Sequence, residues 1–96
     1  MSSLPALTLL LQGYLNLDWP DDYEDMWGAI DAYVRREPLA EYLPAEIADL
    51  LGKYPSEDQT RRLVHELTTG YLPEADGMSY RVWLTLVAAR VDESKG

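Results

Sequence analysis

Five segments of this 96-residue sequence place apolar residues at the three- and four-residue intervals of an α-helix. No stretch alternates apolar and polar side chains for long enough to predict a β-strand. The prolines fit this pattern, because each falls in a first helical turn or in a break between helices. The sequence therefore predicts one all-α domain over residues 1–96, with helices over about residues 4–16, 22–36, 39–53, 57–70 and 79–92.

Residues typical of helix starts precede several of these segments. Asp21 or Asp22 is expected to cap the second helix, and Ser79 to cap the fifth. Ser56 and Gln59 have the spacing of a capping box at the start of the fourth. Pro44 is expected in the first turn of the third.

The last predicted helix is apolar over most of its circumference. Its apolar residues are Tyr80, Val82, Trp83, Leu84, Leu86, Val87 and Val91. A helix of this kind belongs at the centre of a bundle, with other helices packed around it. We therefore predict a compact bundle of about five helices with the C-terminal helix central. Because cysteine is absent, helix packing must hold this fold without disulfides.

The charge balance limits the partners that the protein can have. Seventeen acidic and eight basic side chains give a net charge of −9. This charge disfavours direct binding to nucleic acid, where Lys and Arg must replace phosphate counterions, and it equally disfavours anionic membrane surfaces. The apolar N-terminal segment lacks a basic region, contains Pro5 and is too short to span a bilayer, so we expect no membrane anchor.

The negative charge is concentrated near the N-terminus. Residues 13–27 hold five carboxylates and four aromatic rings, and residues 1–34 contain six acidic residues and no Lys or Arg. Helix capping and the helix dipole explain part of this charge. The remaining carboxylates predict a surface for a basic partner.

No catalytic or metal-binding arrangement emerges from the sequence. His65 is the only histidine, cysteine is absent, and no Gly-Xaa-Ser-Xaa-Gly motif is present, so no nucleophile has a recognisable base. Residues 72–83 resemble a calcium loop in part, but Leu72 and Trp83 occupy positions that need oxygen ligands. We expect a protein that is not an enzyme and that uses no metal or cofactor.

Two segments resemble a known family. Tyr14, Asp18, Trp19, Tyr23 and Glu37-Pro38 match an aromatic-rich opening followed by an acidic second helix. Tyr71, Pro73, Asp76, Gly77, Ser79 and the Trp83-Leu84 pair match a C-terminal signature. In order and spacing these motifs are similar to those of the small all-helical immunity proteins of bacterial contact-dependent growth inhibition systems. Pro44 departs from the more continuous third helix that the family pattern suggests.

The resemblance implies a cytoplasmic antidote, expected to be monomeric, that binds and blocks the C-terminal domain of a cognate toxin. Many such toxins are nucleases with basic active-site clefts, which an acidic protein would complement. The toxin-binding residues that we expect first are Asp18, Asp21, Asp22, Glu24 and Asp25, followed by Glu74 and Asp76. The resemblance leaves open whether the motif residues bind the toxin or support the fold; these are Tyr14, Trp19, Tyr23, Tyr71, Gly77, Ser79 and Trp83.

Two other functions are compatible with the sequence. An acidic adaptor or nucleic-acid mimic would occupy a basic DNA-binding protein. A small enzyme would use carboxylates such as Asp18 and Asp76, which would have to converge in a cleft.

Overall fold

The computed structural model of the protein describes residues 4–16, 23–67 and 70–95. Within these ranges the chain forms five α-helices and no β-strand, which confirms the predicted all-α class. The helices are α1 (Pro5–Leu9), α2 (Met26–Arg36), α3 (Leu43–Lys53), α4 (Glu57–Glu66) and α5 (Tyr80–Lys95). A π-helical turn, Leu10–Tyr14, continues α1, and 3₁₀ turns precede α3 (Pro38–Tyr42) and α5 (Pro73–Asp76).

Helix α5 lies at the centre of the bundle, as predicted. It contacts α2, α3, α4 and both 3₁₀ turns. Trp83, Leu84, Val87 and Val91 on its inner face are completely buried. The apolar circumference of α5 is not covered throughout, however, since its outer face leaves Val82 and Leu86 50% and 43% exposed.

Helix α2 begins later than the sequence suggested. The expectation that Asp21 or Asp22 would cap it was wrong, because residues 23–25 are not helical. The cap is Asp25, whose backbone is extended and whose side chain accepts a hydrogen bond of 2.7 Å from the backbone N–H of Gly28. One carboxylate of the acidic segment therefore stabilises the start of a helix.

Most features of the other helix starts agree with the sequence. Ser56 and Gln59 form the predicted capping box, and the Ser79 hydroxyl accepts a hydrogen bond of 3.1 Å from the backbone N–H of Val82. Pro44 lies in the first turn of α3 as expected, but α3 begins at Leu43 and not near residue 39, since Pro38–Tyr42 form a 3₁₀ turn. Helix α4 ends at Glu66, short of the predicted Gly70.

Two further helix starts are capped by carboxylates from distant parts of the chain. Glu46 of α3 accepts hydrogen bonds of 3.0 Å from the backbone N–H groups of Ala6 and Leu7. Glu57 of α4 accepts hydrogen bonds from those of Tyr80 (2.7 Å) and Arg81 (3.1 Å). Because these donors have no partners within their own helices, each carboxylate fastens one helix to another.

Arg81 joins α5 to the end of α3 and to α4. Its guanidinium donates hydrogen bonds to the carbonyl of Leu51 (3.2 Å), to the carbonyl of Tyr54 and to the hydroxyl of the fully buried Thr60 (3.2 Å). The carbonyls at the end of a helix attract positive charge. Arg81 therefore stabilises the junction of three helices.

Replacing Arg81 with Met should lower the free energy of unfolding by about 2 kcal/mol, because the methionine keeps the aliphatic stem and loses charged hydrogen bonds to partly buried acceptors. Urea denaturation measures the change. Arg62→Met is the control, since Arg62 is 76% exposed and pairs with Asp58 of its own helix at 3.2 Å. That change should alter stability by less than about 0.5 kcal/mol. Equal effects of the two substitutions would contradict this role for Arg81.

Candidate functional site

The structure describes four of the seven carboxylates that the sequence assigned to partner binding. Asp18, Asp21 and Asp22 lie outside the described residues, as does Trp19. Glu24 is exposed immediately before the start of α2. Asp25 is also exposed, but one of its oxygens is occupied by the helix cap. The start of α2 therefore offers the full carboxylate of Glu24 and the second oxygen of Asp25.

Glu74 and Asp76 lie on the exposed 3₁₀ turn before α5 and are held there by tyrosines. The Tyr71 hydroxyl donates a hydrogen bond of 2.6 Å to Oδ2 of Asp76, and the Tyr80 hydroxyl donates one of 3.2 Å to Oε1 of Glu74. Gly77 ends the turn with φ +76°, a left-handed conformation that favours glycine. The turn therefore holds two exposed carboxylates in place, each through one of its oxygens.

The two tyrosines are buried and remain neutral hydrogen-bond donors. Burial first, and then the hydrogen bond to Asp76, raises the pKa of Tyr71 well above its usual range. Burial, followed by the charge of Glu74, raises the pKa of Tyr80 to about 12. At neutral pH both phenols hold their protons, so the negative charge stays on the exposed carboxylates.

These pKa shifts predict a loss of stability in alkali. A phenol with a raised pKa keeps its proton longer in the folded state than in the unfolded state, where its pKa is about 10. Its contribution is therefore complete below pH about 10 and is lost as the pH rises through 12, the value for Tyr80. Urea denaturation between pH about 9 and 12 should show the decline, and Tyr80→Phe should make it shallower. Stability that stays constant over this range would contradict the prediction.

A chain of contacts through Trp83 connects the acidic turn to the start of α2. The Trp83 ring lies 5.3 Å from the Tyr71 ring, between centroids, and its Nε1 lies 3.4 Å from the sulfur of Met26. Met26 is the first residue of α2, and Tyr71 holds Asp76. Trp83 therefore connects the turn that carries Glu74 and Asp76 with the start of α2, next to Glu24 and Asp25.

Most of the described motif residues have structural roles. Trp83 and Tyr71 are buried, Gly77 forms the turn and Ser79 caps α5. Tyr14 is buried, donates a hydrogen bond of 2.8 Å to Glu37 and packs edge-on against the Tyr33 ring at 5.5 Å. Tyr23 is half-buried against the core.

One acidic residue of the N-terminal block is neutralised within the protein. Both oxygens of Asp31 accept hydrogen bonds of 2.8 Å from the Arg90 guanidinium, which lies 5.1 Å from the centre of the Trp27 ring. The hydrogen bond from Arg90 lowers the pKa of Asp31. This pair could not be predicted from local patterns, because its members are 59 residues apart.

The described residues hold no metal-binding cluster, and their histidine is hydrogen-bonded to Tyr80. No three His, Asp or Glu side chains there are placed to hold a metal ion. His65 is exposed, and its Nε2 lies 2.8 Å from the Tyr80 hydroxyl, whose proton is directed to Glu74. No helix in the described part of the chain has the length and apolar character needed to cross a membrane.

The fold and the surface are those of a small acidic all-helical protein whose exposed carboxylates suit contact with another protein. Residues 3–91 match a protein-family model described as CdiI immunity protein. Since the match spans nearly the whole chain, the protein belongs to this family, the immunity proteins of contact-dependent growth inhibition. This confirms the resemblance found in the sequence. The comparison with curated proteins gave no match, and neither did the comparison with solved structures.

Proposed function

We propose that this protein binds the C-terminal toxin domain of its cognate inhibition system in the cytoplasm. We infer that this toxin domain is a nuclease and that binding blocks its basic active-site cleft. The observation that carries the proposal is the family match over residues 3–91 in a chain whose net charge is −9. Family membership implies a toxin as partner, and the charge favours a basic one.

The distribution of charge supports this choice of partner. Residues 13–27 carry five carboxylates and no basic side chain, whereas Asp31, the sixth acid of residues 1–34, is paired with Arg90. A block of one sign steers an oppositely charged partner and can raise the association rate by about 10- to 1,000-fold. Carboxylates at the rim of an interface mainly raise the association rate, whereas a few well-packed side chains contribute most of the binding energy.

The turn that carries Glu74 and Asp76 suits the same partner. Its two tyrosine hydrogen bonds and its backbone bonds, Ala75 to Leu72 at 3.0 Å and Met78 to Pro73 at 3.1 Å, are made before any partner arrives. A surface that is already ordered loses less conformational entropy on binding. The carboxylates would pair with Lys and Arg side chains that otherwise hold phosphates, and so exclude the substrate.

Co-expression with the toxin domain encoded directly upstream tests the proposal. We expect this protein to restore growth and to co-purify with the toxin domain in equal amounts. Continued growth arrest without a complex would overturn the proposal. Neutralisation of a toxin domain that lacks nuclease activity would overturn its nuclease part alone.

A further inference from the structure

The outer face of α5 carries an apolar groove that lies outside the buried core. Val82 and Leu86 are one helical turn apart and are 50% and 43% exposed. With Leu51 of α3, Arg81 and Thr85 they line a groove of about 220 Å³. None of the carboxylates in the described part of the chain lines it.

The walls of the groove are fixed relative to each other. Arg81 binds the carbonyl of Leu51 at 3.2 Å and so holds the end of α3 against α5. The Thr85 hydroxyl is turned back to the carbonyl of Arg81 at 2.8 Å, and this hydrogen bond occupies its proton. The groove is therefore a preformed apolar surface, which suits an apolar side chain.

The groove adjoins the acidic start of α2. Leu86 lies one turn before Arg90, which pairs with Asp31 and lies over the ring of Trp27 in the first turn of α2. The hydrogen bond to Asp31 and, more weakly, the charge of Asp25 raise the pKa of Arg90, which places Asp25 near this guanidinium. The apolar groove and the carboxylates at the start of α2 thus lie at successive turns of α5, the groove at Val82 and Leu86 and the carboxylates near Arg90.

A second copy of the chain does not suit this surface. Two half-exposed side chains offer far less area than the roughly 1,200 Å² that a stable interface buries. Two chains that each carry a net charge of −9 also repel each other. A basic partner is attracted by the same charge, and it can add area beyond the groove.

We propose that an apolar side chain of the basic toxin domain occupies the groove between Leu51, Val82 and Leu86 and forms the centre of the toxin interface. The carboxylates at the start of α2 form its rim. This inference rests on the proposed function and specifies its binding face.

The test measures the affinity of the toxin domain for the double variant Val82→Gln/Leu86→Gln. We expect dissociation to accelerate and affinity to fall about 100-fold, because truncation at an interface centre has large effects. Leu39→Gln is the matched control, since Leu39 is 37% exposed on the 3₁₀ turn before α3. The control should bind like the wild type, and both variants should keep the wild-type melting temperature.

The possible outcomes separate this inference from the proposed function. If the double variant binds like the wild type while Glu24→Lys slows association, the groove is not the centre of the interface and the proposed function stands. If the wild type does not bind the toxin domain, the proposed function fails and the inference fails with it. If sedimentation shows a wild-type dimer that the double variant abolishes, a second copy occupies the groove and the inference is overturned.

Discussion

Replacing Trp83 with alanine is expected to lower the free energy of unfolding by about 3–5 kcal/mol, the usual cost of truncating a fully buried tryptophan. Trp83 has no exposed surface, contacts the Tyr71 ring at 5.3 Å and places Nε1 3.4 Å from the sulfur of Met26. Its loss would leave a cavity between α2, α5 and the acidic turn. A domain of this size has only about 5–15 kcal/mol of stability, so this single change removes a large share of it.

Urea denaturation of this variant needs a neighbouring control. Val82 is the preceding residue and is 50% exposed, so Val82→Ala should change stability by less than about 0.5 kcal/mol. Trp83→Phe keeps a ring against Tyr71 and should lie between the two. An alanine variant as stable as the wild type would contradict the central position of α5.

Reversing the charge of the acidic segment should slow toxin association by about 10- to 1,000-fold at low salt. The variant is Asp21→Lys/Asp22→Lys/Glu24→Lys. Asp25 is left unchanged because it caps α2, and Asp76 because it accepts the Tyr71 hydroxyl proton. The substitutions therefore reverse three charges and leave in place Asp25, which caps α2, and Asp76, which accepts the Tyr71 hydrogen bond. Stopped-flow fluorescence measures the association rate.

A variant with the same net charge separates local from overall electrostatics. Asp49, Glu66 and Asp92 are exposed carboxylates elsewhere on the surface, and all three can be changed to Lys. If the acidic segment faces the toxin, this control should slow association much less. The difference should also shrink as salt screens the charges. Equal slowing by both variants would assign the effect to net charge and contradict a defined acidic interface.

Local patterns predicted the helices, and long-range contacts decided the details. The Ser56–Gln59 capping box and the Ser79 cap were predictable because each involves residues three apart. Three aspartates within five residues could have capped α2. The cap is Asp25, and the residue after it, Met26, contacts Trp83, which is 57 residues away in the sequence. Glu46, Glu57 and Arg81 were unpredictable as structural residues because their partners lie 21 to 40 residues away.

The candidate site was predictable in composition and only partly in geometry. The sequence pointed to Glu24, Asp25, Glu74 and Asp76, and Trp83 connects the two groups. Periodicity alone could not show that Tyr71 and Tyr80 hold the turn, or that Asp31 is neutralised by Arg90. It also could not show that Val82 and Leu86 remain exposed, because a helix apolar on most of its surface has no single inner face.

Calorimetric titration of the upstream-encoded toxin domain with this protein, at low and at high salt, tests the central claim most directly. We expect a one-to-one complex, with a dissociation constant on the order of nanomolar or lower. We also expect the affinity to decrease as ionic strength rises. No binding, or an affinity that does not change with salt, would contradict an acidic immunity protein directed at a basic toxin.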